Sequence, residues 1–410
     1  MNNNYPNTDP LVNEVLNNFF TEDQANEFSQ KYLSAGKPSE ITDEELKKQL
    51  DIDTEGGEKT RSQIDRIITF AETKLPKEKY IDLLLFLGQT TITKGEFSAA
   101  IDIHEILAHS SAGQPGMKNI AANAFLRMGE VYSRQAQWQL SFNYLDKADN
   151  LFNEENDLKG NAECENIIGT IYGDKGELDD AASHFEKALS LLEDNPDNSL
   201  KGKIEINLGI IANIQSKYDE ALSYFRRALL DFEKAGDAQR VAEVRQDMGV
   251  VYTKKKDYPL ALKELDLALL AATQINYLQS IGIIYISKSY VYTMLTDYDF
   301  AEAFADKAME IAYKLNDKLT IAEVYKIKGI IQRNKKKFAA AENYLFTSLR
   351  LNEEHGNKLN YAETSYELGI LYTMTDDKKK RKKYFSDALD YYKSINANEE
   401  IEAIENLLNQ

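Results

Sequence analysis

The chain is poor in the residues that carry most chemistry. Among 410 residues there is one cysteine, Cys164, and there are four histidines. One thiol can form neither an internal disulfide nor a cysteine-based metal cluster, and Cys164 reads as a small buried hydrophobe. His104, His109, His184 and His355 lie in different units or on loops, and no His-x-x-x-His pair exists to hold a metal. No glycine-rich phosphate cradle is present, because Gly56-Gly57 reads as a loop and the regularly spaced glycines lie inside helical patterns. No serine or cysteine nucleophile has a motif around it. The sequence therefore predicts no enzymatic activity, no cofactor and no metal.

Long apolar runs are also missing, and none approaches the roughly 20 residues that a membrane helix needs. The opening MNNNYPNTDP has no basic or apolar region of the signal-peptide kind, so a soluble, cytoplasmic protein is expected. With 49 Lys and Arg against 67 Asp and Glu, the net charge is −18. That balance argues against a nucleic-acid partner, since phosphates would be repelled on average. Only 7 prolines interrupt a composition rich in helix formers, so the fold class is all-α.

What is abundant is repetition. Gly129, Gly169, Gly209, Gly249, Gly329 and Gly369 fall on one 40-residue lattice, and Ser289 fills the vacant node. Seven residues before each node the column is small: Ala122, Ala162, Gly202, Ala242, Gly282, Ala322, Ala362. Nine after it the column is bulky: Trp138, Leu178, Tyr218, Tyr258, Tyr298, Phe338. Nineteen after it stand Ala148, Ala188, Ala228, Ala268, Ala308, Ser348 and Ala388. An earlier unit with Gly88, Gly95, Phe97 and Ala100 sits one residue out of phase. Within one period two helical segments flank a turn, as residues 161–174 and 178–193 do around Gly176. Such an αα-hairpin cannot bury both faces alone, so neighbouring hairpins must stack into a solenoid.

The set Leu208-Gly209, Tyr218, Ala221, Phe225 and Ala228 resembles the tetratricopeptide repeat. So does Ile168-Gly169 with Tyr172, Gly176, Ala181, Phe185 and Ala188. The 40-residue period is similar to that of kinesin light chains, LGN-type adaptors and bacterial Rap-type regulators. Those have a Gly-Asp-like turn before each hairpin, matched by Gly236-Asp237, Asn316-Asp317 and Gly356-Asn357. The resemblance implies a right-handed superhelix whose first helices line a concave groove.

The resulting division places a disordered N-terminus at 1–9 and an N-terminal helical region at 10–76. Eight repeats follow over 77–394, with a C-terminal capping helix in 395–410. Within the N-terminal region, helical patterns cover 10–20, 22–33, 42–51 and 58–75, the last with Ile64, Ile67, Ile68, Ala71 and Leu75 on one face. The last pair reads as a degenerate ninth hairpin.

Groove positions are expected three before, one after and four after each node. They supply the partner-binding candidates Ile206, Ile210, Asn213, Val250, Ile286, Tyr290, Lys326, Ile330, Arg333, Tyr366 and Ile370. An apolar concave stripe suits an amphipathic helix or a hydrophobic peptide, provided the residues are exposed and not buried in the helix layer. The Lys/Asn carboxylate clamp of chaperone adaptors is not repeated here, since Asn213 and Lys326 alone are too sparse. Basic clusters form a second candidate surface, an edge stripe of Lys254, Lys255, Lys256, Lys335, Lys336, Lys337, Lys378, Lys379, Lys380, Arg381, Lys382 and Lys383. The competing reading is a set of solvated turns.

The expected function is a non-enzymatic scaffold that binds a partner peptide or helix in the groove, without membrane insertion. Self-association through the terminal helices stays open. The alternative, which the Rap resemblance implies, is a cytoplasmic regulator acting on a response-regulator-type partner. No catalytic glutamine aligns within 10–75. The chain ends soon after its cap helix, so output is expected through a partner.

Overall fold

Each period folds as the lattice requires. The computed structural model describes residues 10–33, 55–111, 116–193, 197–395 and 397–409; the helix expected at 42–51 lies outside them, as do residues 1–9. Among the described residues there are helices and no strands. The chain forms two compact units, Met1–Ile167 and Ile168–Gln410.

The first unit opens with α1 (Pro10–Phe19), α2 (Glu22–Phe28) and α3 (Glu55–Lys74). Thr21 caps α2 through a reciprocal box with Gln24, and α2 runs on into a π turn at Ser29–Leu33. These helices bury Val15, Leu16, Phe28, Ile64, Ile67 and Ala71 against Leu83, Leu84 and Leu87 of α4 (Lys77–Lys94). Repeat hairpins follow, α4 with α5 (Phe97–Ser111) and α6 (Lys118–Arg134) with α7 (Trp138–Glu155). The helix α8 (Leu158–Asp174) carries the chain across the boundary between the units.

The second unit continues with α9 (Leu178–Leu191), α10 (Asn198–Ile214), α11 (Tyr218–Ala235) and α12 (Ala238–Lys254). Next come α13 (Tyr258–Gln274), α14 (Leu278–Met294), α15 (Tyr298–Lys314) and α16 (Lys318–Asn334). It closes with α17 (Phe338–Glu354), α18 (Lys358–Met374), α19 (Lys378–Ser394) and α20 (Asn398–Leu408). Helices adjacent in the chain pack against one another, and first helices of successive hairpins also touch. This is an all-α solenoid of stacked αα-hairpins.

Two features fix the hairpin. The bulky column at nine after the node is the first residue of each second helix. Before it, seven after the node, the backbone turns left-handed at Gly95, Ala136, Gly176, Ser216, Lys256, Thr296, Lys336 and Asp376. Only two of these eight are glycine, so most of the turns were invisible to a search for glycine. The node glycines seat the side chain sixteen residues later: a Cβ at Gly129 would lie 2.8 Å from Leu145, and one at Gly369 2.5 Å from Phe385. Such overlap forces the ridge of the second helix away. The turns between hairpins use Asn or Gly, most of them followed by an Asp or Asn cap such as Asp237 on the Arg240 amide and Asp317 on Thr320, whereas Gly116 and Asn276 precede the non-capping Met117 and Tyr277.

Candidate functional site

In the second unit the first helices α12, α14, α16 and α18 line a cleft of about 360 Å³. Its lining comes from positions six, three and two before a node and one after it, joined by Thr253 and Lys254 at four and five after the node of α12. Six of the eleven groove candidates meet there: Val250, Ile286, Tyr290, Lys326, Ile330 and Tyr366. Lys254, from the basic set, joins them.

The remaining groove candidates lie elsewhere. Ile206 and Asn213 are half-buried outside this cleft, and Ile210 is exposed. Arg333 is buried and paired with Glu367, a lining residue. Ile370 packs into the apolar cluster around Phe385 and Ile404, under α20.

The expected apolar stripe is only partly apolar and only partly exposed. Ile330 is 2% and Ile286 7% exposed, because the helices approach closely enough to take both into the layer. The floor between them is ionic. Lys326, 5% exposed, pairs with Glu323 at 2.8 Å and with Glu363 of the next first helix. Burial alone would push the Lys326 ammonium down, but Glu323 and Glu363 outweigh it and hold it above the ordinary lysine range. Glu323 itself is raised, first by burial and then by the neighbouring Glu363 and Glu367, against the pull of Lys326. The floor therefore joins one ammonium to two carboxylates.

Tyrosines form the walls. Burial, with Glu367 next in weight, pushes the Tyr290 hydroxyl up to about 12. Tyr366 and Tyr392 are raised for the same first reason. All three stay protonated and can donate hydrogen bonds to a ligand. Tyr392 comes from α19, a second helix, and its place in the cleft has no counterpart in the repeat columns. Sequence reasoning also missed Glu323, Glu363 and Glu367. A signal existed: Glu163, Glu243, Glu323 and Glu363 share the column six before the node, one helical turn from the row that was read.

The basic clusters differ in what their members meet. Lys254 enters the cleft, while Lys255 and Lys335 reach back to Asp219 and Glu302 of the preceding second helix. Lys256 and Lys336 occupy left-handed turn positions and, with Lys337, stay exposed. Residues 378–383 open α19, and Lys380 likewise reaches back to Glu342 of the preceding second helix.

The remaining candidates for chemistry are structural. His104 is buried against Gly88, at the position where other repeats place Leu or Phe, and burial followed by Arg127 lowers it to about 4. Burial pushes the Cys164 thiol up, and His184 stacks on Tyr172 at 5.1 Å. Among the described residues no group of His, Cys, Asp and Glu could hold a metal, and no helix is long and apolar enough to cross a membrane.

Residues 201–274 match the family model described as tetratricopeptide repeat, and residues 92–231 match that of the soluble NSF attachment protein, SNAP. No curated protein matches the chain significantly. Among solved structures it is similar to the Rap protein complexed with competence and sporulation factor, with a TM-score of 0.60 at 12% identity over 83% of this chain and 94% of that one. Aspartyl phosphate phosphatase F from Bacillus subtilis gives 0.56 at 14% identity, over 84% and 85%. NprR in complex with its cognate peptide NprX gives 0.52 at 16% identity, over 69% and 82%. At these identities the likeness is one of fold.

Proposed function

We propose that this chain, an all-α solenoid with the fold of tetratricopeptide-repeat proteins, is a non-enzymatic scaffold that holds a short partner peptide in the cleft of its second unit. The observation that carries this reading is the lining: aromatic walls around an ionic floor, preassembled by four consecutive hairpins. A prebuilt site loses little conformational entropy on binding, so modest contacts suffice for useful affinity. Apolar flanks at Val250 and Ile327 take the side chains of an extended segment. Protonated tyrosines and the paired carboxylates meet its backbone amides. The similarity to NprR, solved with its cognate peptide, is in keeping with this use of the fold.

A second reading is a regulator that acts on a response-regulator-type partner. It is favoured by similarity extending over most of the chain to a Rap protein and to an aspartyl phosphate phosphatase. In that reading the cleft receives the controlling peptide, and the partner docks elsewhere.

The test is titration calorimetry with peptides selected from a displayed library. Tyr290→Ala and Tyr366→Ala should each weaken binding about tenfold or more, with circular dichroism unchanged. Ile210→Asp, at an exposed residue outside the cleft, should bind like wild type. Binding that survives both tyrosine variants, or that is lost in Ile210→Asp alone, would sink the cleft proposal. Faster loss of phosphate from a phosphorylated response regulator in the presence of the protein would select the second reading.

A further inference from the structure

We propose that the first two turns of α19 form a docking surface for an acidic polypeptide segment, independent of the cleft. Residues 378–383 are six consecutive cations at the N-terminal end of a 17-residue helix. This arrangement opposes two local rules at once. The positive end of the helix dipole disfavours cations. Like charges three and four apart also repel, as Lys378 does Arg381 and Lys382, and Lys379 does Lys382 and Lys383. Among the described residues Lys380 pairs with Glu342 at 3.1 Å and with its own cap Asp377 at 4.0 Å, and Lys383 is drawn to Asp387 one turn on. Lys383 lies over the Tyr384 ring at 4.9 Å, and the Nε of Arg381 is buried with no hydrogen-bond partner. Lys378, Lys379 and Lys382 are exposed and reach no carboxylate among the described residues.

The lysines surround a shallow recess of about 560 Å³, lined by Lys378, Lys379, Lys382, Lys383, Ser386 and Asp387. The other basic turns differ, because Lys255 and Lys335 are consumed in ties to the preceding repeat. Among the described basic clusters, residues 378–383 hold the longest run of cations, with Lys378, Lys379 and Lys382 exposed side by side.

The charge pattern selects the occupant. Six helical residues span about 9 Å, enough for two or three residues of an extended chain. Against a body of net charge −18, a long polyanion is repelled wherever it leaves the patch, whereas a short acidic segment stays within about one Debye length of it. Five of the six cations are lysine, a flexible point charge that imposes no fixed fork geometry on the anions it meets, as irregularly spaced carboxylates require. The aromatic beneath, Tyr384, is buried and offers bases no stacking platform.

Fluorescence anisotropy tests this with three probes at low and physiological salt: a labelled glutamate-rich peptide, a single-stranded oligothymidylate, and vesicles of phosphatidylcholine with phosphatidylserine. The peptide should bind, weaken as salt rises, and lose at least about tenfold in affinity for a Lys378→Gln/Lys379→Gln/Lys382→Gln/Lys383→Gln variant. That variant should melt at or above the wild-type temperature, since it removes charges that oppose the helix. Absence of peptide binding overturns the proposal. So does tighter, patch-dependent binding of the oligonucleotide or the vesicles. A marked fall in melting temperature overturns it as well, because the lysines would then be structural.

Discussion

At the scale of single residues, the lattice holds because of paired sizes. Where the node is glycine, the residue sixteen later is Leu145, Phe185, Phe225, Leu265, Leu345 or Phe385, each within 3 Å of where a Cβ would stand. The vacant node breaks both halves of the pair, with Ser289 opposite Ala305, and both are buried. The Ser289 hydroxyl donates to the Ala301 carbonyl at 2.7 Å and so fills the space that a larger partner occupies elsewhere. Ala305→Leu alone should cost about 1–3 kcal/mol through overpacking. Ser289→Gly alone should cost about 1–2 kcal/mol, through the lost hydrogen bond and a freer helix backbone. The double variant recreates the pairing of the neighbouring repeats, and its cost should fall below the sum by about 1 kcal/mol or more. Urea denaturation of the four proteins measures that coupling; strict additivity would show that the two positions are independent.

At the scale of the helix, the inward faces carry more charge than their apolar residues imply. On α12, Glu243 and Asp247 stand one turn apart, and like charges at that spacing repel. Burial, with Glu243 next, pushes the Asp247 carboxyl up to about 7. A carboxyl raised in the folded state disfavours its ionised form there. Stability is therefore intact below about pH 4, declines as the unfolded chain ionises, and reaches its full penalty above about pH 7. Asp247→Asn removes the penalty. It should stabilise the protein by about 1–2 kcal/mol at pH 8, allowing for solvent screening, and by close to nothing at pH 4. A gain independent of pH would refute the assignment. Such faces also mark how far the sequence could be read. Hairpin limits followed from the bulky column, because that column begins each second helix. The groove was only half legible: spacing located Tyr290 and Ile330, but the inward face is set by how tightly first helices approach, which also decides that Ile286 is buried and Ile210 is not. Tyr392 was out of reach, because it enters the cleft from a second helix.

At the scale of the second unit, the repeats bring distant parts of the chain together. The turn at Gly176 meets the backbone around Ile395, where a Cβ would lie 3.2 Å from the Ile395 Cα and carbonyl oxygen. A neighbouring recess is lined by Gly176, Glu177, Asp179, Asp180, Ile214, Gln215 and Asn398, the first residue of α20. That helix packs on the cluster that includes Tyr366 and Ile370, so the contact at Gly176 bears on the cleft. Gly95 provides the control. It occupies the same turn position at φ +78 against +80 for Gly176, yet a Cβ there would meet nothing within 4 Å. Gly95→Ala should therefore cost only the left-handed backbone strain, about 1–2 kcal/mol. Gly176→Ala should cost that strain plus the displacement of the Ile395 segment, about 1 kcal/mol more. The extra loss should be matched by weaker peptide binding in the cleft, because α20 supports Tyr366, while Gly95→Ala should leave affinity unchanged. Equal losses of stability in the two variants would mean that the approach of Gly176 to Ile395 contributes nothing. Unchanged affinity in Gly176→Ala would separate the terminal helix from the site.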